Sequence, residues 1–163
     1  TRMKLRSAQA VVYHAWSQKD AEAWLESATP RPAPDRIELM FEAMAFAREH
    51  GFVALVRNPG VVFGDPSPEL LTGSETDELP VVPLAKIDPA IVYPVAALMA
   101  PVFDERGKVS FTLVMAGFHA QMSVAQALEA GGRLQSACER VSRFVAGRDH
   151  EAPETEARLL ATA

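Results

Sequence analysis

Sulfur chemistry has almost nothing to work with in this sequence. A single cysteine, Cys138, cannot close an internal disulfide, and no second thiol exists to build a cysteine metal site. Long hydrophobic runs are missing too: no stretch of about 18 apolar residues occurs, and residues 1–5 lack the apolar centre of a secretory signal. A cytoplasmic location without membrane contact is the expectation. Positive charge is in short supply, with 16 Lys and Arg against 21 Asp and Glu and a net charge of −5, so the chain repels a phosphate backbone. Any contact with DNA would fall to another segment. The four histidines, His14, His50, His119 and His150, are scattered without His-x-x-x-His or His-x-His spacing, so neither a metal nor a cofactor is expected. No G-x-S-x-G and no paired carboxylates in an apolar setting occur, which argues against an enzyme.

What the chain does have is apolar mass. Of its 163 residues 48% are hydrophobic, enough for one domain with a real core. The opening RMKLR suits a short strand, and residues 8–16, apolar without alternation, suit a short helix. Ser17 with Asp20 resembles a capping box and opens a helix over about residues 19–28. TPRPAPD is a connector whose Pro34 starts the next helix, which runs to His50 and stops at Gly51. Residues 52–58, FVALVRN, read as a strand.

From 59 to 88 eight glycines and prolines predict an irregular excursion, with SPELL suited to one turn of helix and VVPL to a short edge strand. It is either a lid or decoration. Residues 92–103 and 108–116 are apolar on both faces and are separated by DERG, which predicts two antiparallel strands in the middle of a covered sheet. Ser123 and Gln126 form a capping box before a helix with Val124, Ala127, Gly131, Leu134, Cys138, Val141 and Val145 along one stripe, closed by Gly147. The domain thus spans 1–147, and 148–163 form a flexible tail.

The block Met99, Ala100, Pro101, Val102, Phe103, Asp104, then Gly107, Gly117, Ser123, Leu134, Ala137 and Val141, resembles the C-terminal part of the effector-binding domain of IclR-family transcriptional regulators. Weaker likenesses lie in residues 10–16 with ESATP and in residues 47–52, so the resemblance covers most of 6–147. It implies an α/β (α+β) fold: a curved, GAF-like antiparallel sheet with flanking helices. It also implies a small-molecule-sensing, homodimeric or homotetrameric module that reaches DNA through a separate winged helix-turn-helix domain. Neither that domain nor the family's opening strands are seen before Thr1. The sheet is then expected to have an exposed edge that a partner chain can cover.

The same resemblance places the ligand among Ala10 and Tyr13 of the first helix and Val95, Ala97, Met99, Val114 and Ala116 of the hairpin. Strand parity puts Val95, Ala97 and Met99 on one face, and Val114 and Ala116 on one face. Family members that hold small carboxylates use polar groups at such positions. Here Ala10, Ala97, Val114 and Ala116 offer none, and burying a bare carboxylate costs several kcal/mol. An apolar or aromatic effector is expected, unless Arg6, Tyr13 or backbone amides supply donors. The rival expectation is a ligand-free interaction domain whose small residues close the core. Met40, Met44, Met99, Met115 and Met122 suit either an adaptable pocket or plain core. Cys138 reads as core packing, and Arg133, Arg140 and Arg143 as a solvated helix face.

Overall fold

The computed structural model describes residues 9–28, 31–58 and 81–146. Three helices come first. α1 (Ala10–His14) is a single short turn of helix. α2 (Gln18–Ser27) begins at Ser17, whose hydroxyl accepts from the Asp20 N–H at 3.2 Å. α3 (Pro34–His50) has Pro34 in its first turn, where a missing N–H is harmless, and ends at Gly51 with φ +78°.

The strands follow. β1 (Val53–Arg57), β2 (Val81–Pro83), β4 (Val95–Phe103) and β5 (Val109–Ala116) form an antiparallel sheet in the order β2-β1-β4-β5. β3 (Val92–Tyr93) and β6 (Met122–Ser123) make a separate two-stranded ribbon. α4 (Val124–Val145) closes the described chain, and both bonds of the Ser123–Gln126 capping box are made. The protein is α+β: a mostly antiparallel four-stranded sheet with helices on its flanks.

Both faces of β4 are covered, as its two-sided apolarity requires. Ala97 and Met99 pack with Val53, Leu55 and Val81 against Val11 and Val12 of α1, Ala15 just after it, Leu25 of α2 and Met40, Met44 and Ala47 of α3. Leu98, Ala100 and Val102 pack on the opposite face with Phe46, Phe52, Ala54, and Leu134 and Cys138 of α4. Each fully buried Leu, Met or Phe side chain contributes about 1.5–3 kcal/mol, so the two layers together hold the sheet.

The hairpin departs from expectation in three ways. The first strand does not run unbroken from residue 92: Pro94, which cannot donate to a ladder, separates β3 from β4. The second strand is not central, because among the described residues β5 has a neighbour on one side only. Val95, lastly, does not share the face of Ala97 and Met99. The register with β1 slips between Leu55 and Val56, leaving Ala96 as an extra residue on β4. This bulge turns Val95 into the layer beneath α4. The strand expected at RMKLR, the SPELL turn, most of the 59–88 excursion, the Gly147 stop and the 148–163 tail lie outside the described residues.

Candidate functional site

Two cross-strand pairs build the floor of the site. Ala97 stands opposite Ala116 and Met99 opposite Val114, and partners in such pairs share a face of the sheet. α1 packs on this face with Val11 and Val12 fully buried, Ala10 buried beside them, and half-buried Tyr13 against the same cluster. Six of the seven expected residues therefore belong to α1 and one face of the hairpin, and Val95 does not.

Cover over this floor is uneven. Ala97 and Met99 on β4 are only 2% and 4% exposed, whereas Val114 is 44% exposed and Ala116 is open as well. On this face the described helices roof β4 and leave β5 uncovered. The polar inventory is small: Thr112, opposite Pro101, is the strand hydroxyl sharing this face, and Tyr13 offers a phenol. Arg6 lies outside the described residues. A bare carboxylate would find few side-chain donors here, which fits an apolar or aromatic occupant.

Two side chains that sequence reasoning passed over hold this region in place. The Arg57 guanidinium, at the end of β1, donates to Val95 C=O at 3.2 Å and to Phe118 C=O at 2.7 Å. It thereby ties the bulge in β4 to the loop that follows β5. Arg48, near the end of α3, donates to Ala15 C=O at 2.7 Å, a cation at the C-terminal end of α1, where the helix dipole favours one. An isolated arginine at the end of an amphipathic run gives no sequence signal for either role.

His14 ends α1, stacked on Trp24 of α2 with ring centroids 5.0 Å apart and nearly parallel planes. Its Nε2 is buried without a hydrogen-bond partner. Burial holds the imidazole below the ordinary histidine range, against the opposing pull of the Asp20 carboxylate. Cys138 is 1% exposed, its Sγ facing Ala100 C=O at 3.5 Å, and burial raises its thiol pKa. A thiol so placed packs and is a poor nucleophile.

A cleft of about 440 Å³ lies at the far end of β4, lined by Trp16, Arg48, Gly51, Phe103, Gln135 and Ser142 among others. None of the seven expected residues lines it. Here β4 has outrun β1, whose last pairing is Val53 with Met99, and the Phe103 N–H is taken up by Ser142 Oγ at 2.9 Å. Among the described residues no group of three or more His, Cys, Asp or Glu is gathered as metal ligands would be, and no helix is long and apolar enough to cross a membrane. No protein-family profile, curated protein or solved structure matches the chain.

Proposed function

We propose that this chain is the small-molecule effector-binding and dimerising domain of an IclR-type transcriptional regulator, with a GAF-like sheet and a cytoplasmic place of action. The observation that supports this is the apolar floor made by Ala97 with Ala116 and Met99 with Val114, roofed by α1 over β4 and open over β5. An apolar or aromatic effector lies on the open half, against Val114 and Ala116 and beside Ala10 and Tyr13. Binding shifts the arrangement of two or four copies, and DNA is contacted through a separate winged helix-turn-helix domain. Such a ligand acts only through unequal affinity for the two arrangements.

A second reading, an interaction domain with a closed apolar core and no ligand, is favoured by the near-complete burial of Ala97 and Met99. Native mass spectrometry of the purified chain, with titration of the neutral apolar dye Nile red, separates the two. The sensing reading expects a co-purified small molecule or saturable dye binding that Ala116→Phe abolishes while the circular dichroism spectrum stays unchanged. Undiminished binding in Ala116→Phe would place the ligand elsewhere. No bound mass and no dye binding would favour the closed core.

A further inference from the structure

Among the described residues no strand pairs with the outer edge of β5, and the alternation of the ladder gives the direction of each backbone group along it. The Leu84 N–H donates to Ala54 C=O, so Ala54 faces β2, and its neighbours Val53 and Leu55 face β4 opposite Met99 and Ala97. In β4 the odd-numbered residues therefore turn their backbone groups toward β1 and the even-numbered ones toward β5. The end of the strand agrees: Phe103 N–H is bonded on the β1 side by Ser142, and Asp104 N–H goes to Lys108 C=O. Leu98, Ala100 and Val102 thus engage Met115, Leu113 and Phe111. The N–H and C=O groups of Thr112, Val114 and Ala116 point away from the sheet.

Protein edges of this kind are normally guarded by charge, proline, shortness or a bulge; the bulge that β5 carries, the extra residue Ser110, lies ahead of the regular stretch from Phe111 to Ala116. β5 is 8 residues long and its sequence, VSFTLVMA, contains neither a charge nor a proline. Phe111 is 38% exposed on one of its faces and Val114 44% on the other.

We propose that a second copy of this chain pairs with this edge, β5 against β5, antiparallel about a two-fold axis through Leu113. The sequence is self-complementary in that register. On the α4 face Phe111 comes opposite Met115 and Leu113 opposite itself; on the α1 face Thr112 comes opposite Val114, and no like charges meet. A strand from another protein would have to match these pairs, whereas a copy matches them by symmetry. Exposed Phe144 and Val145, at the end of α4 on the side of the sheet that Phe111 faces, add apolar surface beyond the strand. The pairing holds whether or not an effector binds. Where one does bind, the two-fold sets Val114 of each copy diagonally across the seam from the other, so the two open floors adjoin there.

Sedimentation equilibrium of the intact chain across a wide concentration range tests this. A reversible monomer–dimer equilibrium is expected. Thr112→Pro removes an outward N–H that an edge strand can spare, and Val114→Lys places a charge on the edge. Each should raise the dimer dissociation constant about tenfold or more, equivalent to about 1.4 kcal/mol, with unchanged circular dichroism. Val92→Lys, at a 52% exposed position off this sheet, should leave it unchanged. Leu113→Cys, a close non-hydrogen-bonded pair with itself, should form a covalent dimer on oxidation, Cys138 being buried. A monomer at every concentration overturns the proposal. So does a dimer undiminished in both Thr112→Pro and Val114→Lys.

Discussion

Ala97 and Ala116 face one another across the β4–β5 ladder, yet Ala97 is 2% exposed and Ala116 lies open. The same substitution on the two sides of this one pair should therefore behave differently. Ala97→Phe forces a ring into a layer already filled by α1 and α3, and overpacking of that kind costs about 1–3 kcal/mol. Ala116→Phe projects over uncovered β5 and should stay within about 0.5 kcal/mol of the parent, as surface changes do. Urea denaturation measures both, and equal losses would show that the floor is closed over β5 as well.

This asymmetry marks the limit of what the sequence displays. The helices were legible because their ends carry local chemistry: Ser17, Pro34, Gly51 and the Ser123–Gln126 box act within one turn of the chain, and each element starts or stops there. The hairpin was legible as two apolar strands. Which of them is central was not, because Val109–Ala116 is apolar on both faces although among the described residues a strand covers it on one side only. Nor was the placement of Val95, because a bulge is set by pairing with β1, some forty residues away in sequence, and parity counting assumes that none occurs. The six remaining candidate residues fell together because α1 and the stretches of the hairpin that hold them, 97–102 and 111–116, each keep a regular period.

Gly131 of α4 lies directly against the ring of Phe52, and a Cβ at this position would stand inside the ring's contact distance. Gly131→Ala gains about 1 kcal/mol of helix propensity but forces α4 from the sheet, an overpacking cost of about 1–3 kcal/mol. The net expectation is a lower denaturation midpoint. Gly132, the next residue, has open space around the same position. Gly132→Ala should therefore raise the midpoint. A stabilised Gly131→Ala would mean that α4 does not sit this close to Phe52.

His14 makes stability depend on pH. Burial disfavours its charged form in the folded chain, so its folded pKa is below the unfolded value of about 6.5. The unfolded chain then binds more protons as the pH falls, and linkage gives the sign. The contribution of neutral His14 is fully present above about pH 6.5 and is lost as the pH falls from there toward the folded pKa. The melting temperature should drop between neutral and mildly acidic pH, before the carboxylates titrate. His14→Phe, which keeps a ring beside Trp24 and removes the titrating nitrogen, should flatten that slope. An identical slope in the variant would assign the pH dependence to another group.

Arg57 should prove to be a structural clamp on the open end of the hairpin. Its guanidinium spans two carbonyls, Val95 C=O and Phe118 C=O, that belong to different segments. Hydrogen bonds to charged groups contribute about 1.5–3 kcal/mol each, and exposure of the site to water lowers the sum. Arg57→Met keeps much of the apolar stem and removes both bonds, so a loss of about 2 kcal/mol is expected, with faster amide exchange around Val95 and Phe118 than elsewhere in the sheet. Arg57→Lys should recover little of it, because an ammonium on a flexible stem lacks the planar fork that reaches two acceptors at once. If lysine restores full stability, one bond or the charge alone suffices, and the bulge at Ala96 is held by its own pairing rather than by Arg57.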